Sequence, residues 1–139
     1  MVLLPHTTLG AALGARAKSP LGAFMIGFAS HFLLDSVPHQ EYSIEGSNGK
    51  ACLATDAVLS AAFTAIIAGR SPLAWCGATG AVVPDLISFS QRRMGLGSTN
   101  WHDWAHGRTA TGLLPSLAAQ AVLSGVLVAF SAGRGDEDA

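Results

Sequence analysis

The stretch PLGAFMIGFASHFLLDSVPH, residues 20–39, decides the fold. From Leu21 to Ala29 every residue is apolar or small. His31 and Asp35 then follow four residues apart, and His39 comes four later, just past Pro38. A spacing of four places His31 and Asp35 on one face of a helix. Ionisable groups inside an apolar helix cost several kcal/mol unless they are paired or ligate a metal. The stretch therefore reads as an apolar helix with a polar site at its C-terminal end.

Three more stretches share its character: residues 51–69, 71–90 and 109–133. All four approach the roughly 20 apolar residues that a bilayer-spanning helix needs. They are rich in Gly, Ala, Ser and Thr, as expected where membrane helices pack closely. A shorter apolar segment, 5–17, reads as a half-helix or a helix leaning against the bundle, with Thr7 or Thr8 as its cap. Strand alternation is absent, so the fold class is all-α. The expectation is one antiparallel bundle of about five helices over residues 1–133, embedded in a membrane, with a frayed charged tail at 134–139.

Composition agrees. Hydrophobic residues make up 50% of the 139 and charged residues 12%, about half the charged fraction of a soluble domain. Mean hydropathy is +0.40. A net charge of −1 gives no reason to expect a nucleic-acid partner. Cys52 and Cys76 form no CxxC and are expected to be small buried hydrophobes. The N-terminus has no basic region ahead of its apolar part, so it does not read as a cleaved leader.

Short connections make successive helices antiparallel neighbours. Following the chain up and down, the start of helix 1, the end of helix 2, the start of helix 3, the end of helix 4 and the start of helix 5 share one pole. All five histidines lie there: His6, His31, His39, His102 and His106. Asp35, Asp56, Asp85 and Asp103 join them, while Arg16, Lys18, Arg70 and Arg134 fall at the other pole.

Each element has a plain reading beside the chemical one. His31 and Asp35 form either a buried hydrogen-bonded tie between helices or a pair of metal ligands. Asp85 follows Pro84, whose missing amide disturbs the helix and turns the carboxylate inward or leaves it to cap freed amides. In WHDWAHG, residues 101–107, His102 and His106 at i, i+4 present two rings on one face, with Trp101 and Trp104 suited to a membrane interface. His6 gains weight from its pole. Asp56 is an N-terminal dipole partner or a site carboxylate. Neutral imidazoles with carboxylates are the ligand set of zinc or a similar divalent ion, so His6, His31, Asp35, Asp85, His102 and His106 are the candidate ligands.

PHTTLG, SHFLLDSVPH, GAVVPDL and HDWAH, spread over residues 5–107, together resemble the small membrane-bound metal-dependent hydrolases of bacteria and archaea. HFLLDSVPH is also similar to the His-x-x-x-Asp helix of the zinc-dependent phospholipase C and S1/P1-type nuclease group. That resemblance implies zinc on His31 and Asp35. The chain is far shorter than those enzymes and has no N-terminal tryptophan to supply a terminal amine ligand.

The function expected from these residues is a multi-pass membrane metallohydrolase holding one or two divalent ions, zinc foremost. Asp56 or His39 would move the proton. Arg92, Arg93 and Arg108, placed in the loop 91–108, would hold the phosphate of a phosphoester or phospholipid headgroup. The rival expectation is a non-catalytic membrane scaffold or binding protein built around a structural metal or a buried His/Asp network.

Overall fold

In the computed structural model, which describes residues 2–36, 46–96 and 113–132, the chain forms five helices, with no strand among the described residues. They are α1 (Leu3–Gly14), α2 (Pro20–Asp35), α3 (Gly46–Ala68), α4 (Pro72–Arg93) and α5 (Leu113–Ala132). Ser-Pro pairs begin α2 and α4. The Ser19 hydroxyl accepts from the Gly22 amide at 3.1 Å, and the Ser71 hydroxyl accepts from the Ala74 amide at 3.3 Å. Each following proline occupies the first helical turn, where no amide is needed. The turn from α3 to α4 runs through Gly69 at φ +51°, a left-handed conformation that glycine adopts without steric cost.

Several sequence expectations change here. Helix α2 stops at Asp35, ahead of the Val37–Pro38 step that disfavours helix. Its 16 residues span about 24 Å, short of the roughly 30 Å hydrocarbon core. Helix α3 begins at Gly46, five residues ahead of the apolar stretch 51–69, because its first turn is exposed and tolerates Ser47 and Asn48. Helices α3 and α4, with 23 and 22 residues, are long and apolar enough to cross a membrane.

Helix α1, 12 residues long and so too short to span a bilayer, is the hub of the packing. It packs against all four other helices, whereas α2 packs on α1 and α4 and has no substantial packing on its chain neighbour α3. The reason is side-chain size. Gly10 and Gly14 let the α4 backbone approach α1 closely, as small residues do where membrane helices pack. The tightest crossing joins α1, α2 and α4 at Gly77. A Cβ there would collide with the Gly10 carbonyl and lie 2.8 Å from the Gly14 Cα. Gly27 of α2 meets the same Gly77 carbonyl, and Gly80 meets the Phe24 carbonyl.

The distribution of apolar residues is inverted relative to a water-soluble bundle. The buried apolar residues are Val2 and alanines such as Ala11, Ala23, Ala74 and Ala81. Leu21, Met25, Leu33, Val58, Ile66, Leu86 and Val126 are exposed. Buried positions carry His6, Thr8, Ser30, His31, Asp35, Asp56, Ser60, Thr64, Asp85 and Ser124 instead. Cys52 is exposed and Cys76 half-buried, against the expectation of two buried thiols. The interior is too tightly spaced to favour them over Ala and Gly.

Candidate metal centre

The glycine crossing sets the position of the site. Four residues before Gly10 on α1 comes His6. Four after Gly27 on α2 comes His31, and four after Gly77 on α4 comes Ala81. All three positions lie one turn from the crossing on the same side, because α1 runs opposite to α2 and α4. One turn further out come Asp35 and Asp85. His6, His31, Asp35 and Asp85 are all buried.

The geometry is compact. Asp35 turns one carboxylate oxygen toward each histidine: Oδ2 lies 3.1 Å from His31 Nε2, and Oδ1 lies 3.5 Å from His6 Nε2. Asp85 Oδ1 lies 4.0 Å from His31 Nε2. The two imidazole rings face each other with centroids 4.2 Å apart, tilted by 31°. Ligand atoms of His6, His31 and Asp35 all fall within 4.8 Å of one another, so the group is one that can hold a metal ion.

Its electrostatics turn on one hydrogen bond. His31 Nδ1–H donates to the Ala81 carbonyl at 2.8 Å. A carbonyl only accepts, so the proton sits on Nδ1 and the tautomer is fixed. Nε2, aimed at Asp35 and Asp85, then offers either a second proton or a lone pair. With a second proton, the ring is an imidazolium held between two carboxylates. With a lone pair, it faces carboxylate oxygens and calls for a cation between them. Two ligands on one zinc at about 2.1 Å stand roughly 3.5 Å apart in tetrahedral geometry. The 3.1, 3.5 and 4.0 Å separations bracket that figure, so the donor set fits such an ion. A ring nitrogen fixed by a backbone carbonyl is the usual support of a metal-bound histidine.

Pro84, one position before Asp85, contributes through the backbone. It has no amide to close on the Gly80 carbonyl, which loosens the helix ladder beside Ala81 and Asp85. Ala81 is the participant that sequence reasoning missed. A backbone carbonyl leaves no side-chain signal; its only trace is the Gly77-x-x-x-Ala81 spacing that admits α2.

Asp56 has a different task. Its carboxylate accepts from the Leu3 amide at 2.6 Å and the Leu4 amide at 3.1 Å, capping α1 across the bundle. These bonds are a dipole partnership made toward α1 rather than toward its own helix. Thr7 and Thr8 accordingly do not cap α1. They lie inside it, and their hydroxyls donate back to the Leu4 carbonyl at 3.2 and 2.8 Å.

Arg92 and Arg93 sit exposed in the last turn of α4, not in a loop, where their charge complements the helix C-terminus. His39, His102, His106 and Arg108 lie outside the described residues. Comparison with protein-family models, curated proteins and solved structures gives no match.

Proposed function

We propose that this chain is a multi-pass protein of a bacterial or archaeal membrane that binds a divalent ion, zinc foremost, and hydrolyses a phosphoester at headgroup level. The observation that carries the metal reading is the fixed tautomer of His31, with Nε2 aimed at Asp35. The membrane reading is supported by α3 and α4 as spanning lengths and by the inverted apolar surface, since the large apolar side chains exposed on α2, α3, α4 and α5 call for a nonaqueous surrounding.

In this reading His6, His31 and Asp35 hold the ion, with Asp85 beside them and one or both of His102 and His106 as further ligands. With these residues holding a divalent ion, a water bound to it would have its pKa lowered toward about 7 and would be available as a nucleophile at neutral pH. Because Asp56 is engaged with the α1 amides, Asp85 or His39 is the better candidate for moving the proton. Arg92 and Arg93, about two turns beyond Asp85 on α4, lie where a phosphate at the membrane surface would be held, with Arg108 as a further candidate.

A second reading has its own observation. The side chains of His6, His31 and Asp35 are 0–3% exposed, and a closed ligand shell marks a structural metal rather than a catalytic one. The test is elemental analysis of protein purified in detergent from metal-free buffers, beside His31→Ala and Asp35→Ala. Headgroup release from phospholipid vesicles and chromophore release from a chromogenic phosphodiester are then assayed. Stoichiometric metal with turnover, both lost in the variants, is the hydrolase result. Metal without turnover gives the structural reading. Absence of metal after loading overturns both metal readings and leaves an imidazolium pinned between carboxylates.

A further inference from the structure

A second line of buried polar groups runs through the bundle away from the His/Asp cluster. On α3, Asp56, Ser60 and Thr64 are spaced by four and buried. On α5, Ser116, Gln120 and Ser124 repeat the same spacing, with Ser116 and Ser124 buried. Helix α1 packs against both, and α3 and α5 pack on each other. The groups meet: Ser60 donates to Asp56 Oδ1 at 3.4 Å, and the Thr8 and Ser124 hydroxyls lie 3.4 Å apart.

Depth follows from the cap. Leu3 sits at the level of Asp56, and Thr8 is five residues along α1, about 7.5 Å further in. On the neighbouring α3 that depth lies between Ser60 and Thr64, so Ser124 enters at the same level. The three helices therefore line one seam about 12 Å long between Asp56 and Thr64.

Among the described residues, two seam atoms have no hydrogen-bond partner. Thr64 Oγ1 is buried in a residue only 3% exposed, and Gln120 Oε1 is buried as well. A threonine inside a helix ordinarily bonds back to the carbonyl one turn earlier, and Thr64 does not. In a nonaqueous surrounding an unsatisfied hydroxyl or amide is expensive. Polar groups from three helices supply the two to four partners that an internal water needs.

We infer that the α1/α3/α5 seam binds ordered water, forming a hydrated polar passage from Gln120, near the Asp56 level, inward to Thr64. It is distinct from the His/Asp cluster and does not depend on whether that cluster holds a metal. Its upper end lies one turn from His6, because Leu3 and His6 are three residues apart on α1.

The test uses the full chain in lipid vesicles, with Cys52→Ser and Cys76→Ala as background. Thr64→Cys and Gln120→Cys are exposed to a small water-soluble methanethiosulfonate, with Val58→Cys on the outer face of α3 as control. Internal water predicts that both seam thiols react at least about tenfold faster than Val58→Cys. Equal or slower reaction overturns the inference. A second measurement covers variants that fail to fold. Thr64→Val keeps the shape and removes the hydroxyl. If that hydroxyl is bound to water, the unfolding midpoint falls. A midpoint that rises, as when an unsatisfied hydroxyl is removed from a dry seam, overturns the inference independently.

Discussion

His31 and Ala81, fifty residues apart, are joined by a 2.8 Å hydrogen bond from the imidazole Nδ1–H to the backbone carbonyl. This bond ties α2 to α4 one turn beyond their closest crossing. It decides which nitrogen of His31 faces the two aspartates, and the chemistry of the site follows from it.

The four polar groups should therefore differ in weight. Asp35 reaches both histidines, whereas Asp85 Oδ1 stands 4.0 Å from His31 Nε2. Asp35→Asn is expected to abolish metal retention. Asp85→Asn should weaken affinity by about 10–100-fold, as for a supporting group. Competition titration with a chelating indicator measures both, and equal losses would contradict this ranking.

Metal removal should also register in stability. A ligand bound only by the folded state adds about 2.7 kcal/mol at a hundred times its Kd. Chelation is expected to lower the thermal midpoint of the wild type in detergent and to leave His31→Ala unmoved. A chelator shift of the same size in His31→Ala would place the metal elsewhere.

Asp56 caps α1 from another helix. Asp56→Ala removes acceptors for the Leu3 and Leu4 amides. The expected loss is about 1–2 kcal/mol, the usual range for a lost cap. Metal content per folded molecule should be unchanged. Its loss at full stability would instead make Asp56 part of the metal site.

Gly77 has no room for a methyl group, since backbone atoms of Gly10 and Gly14 close over it. Backbone cannot rotate aside as a side chain can. Gly77→Ala is expected to destabilise by about 1–3 kcal/mol through overpacking. Because the crossing positions His6, His31 and Ala81, it should weaken metal binding too. Calorimetry and elemental analysis on one preparation test both effects.

Val58 is 68% exposed near the middle of α3. At the centre of a spanning helix, arginine costs about 2.5–3.5 kcal/mol to insert. Val58→Arg should therefore reduce the membrane-bound fraction on fractionation. If the protein were instead a water-soluble bundle, the same change would leave its yield unchanged or improve it.

Local sequence carried much of this. Apolar runs without alternation gave helices, and the Ser-Pro pairs at 19–20 and 71–72 fixed two of their starts, because caps and proline geometry are local properties. The four-residue spacing of His31 and Asp35 placed them on one face, and chain parity brought His6 and Asp85 to the same pole. The central place of helix α1 is not legible in its length and hydropathy, which hide what matters, the absence of side chains at Gly10 and Gly14. Asp56 stayed open between two roles because its partners, the Leu3 and Leu4 amides, are backbone groups more than fifty positions away.

The amino-acid sequence by itself determined that the chain is helical and apolar and that His6, His31, Asp35 and Asp85 come toward one end. Periodicity and composition encode those properties residue by residue. Only the tertiary structure decided that α1 is the centre of the packing, that Asp56 caps it, and that His31 spends its Nδ1 proton on Ala81. Those outcomes depend on how closely three backbones approach at Gly77, a distance set by all three helices at once and written in none of them alone.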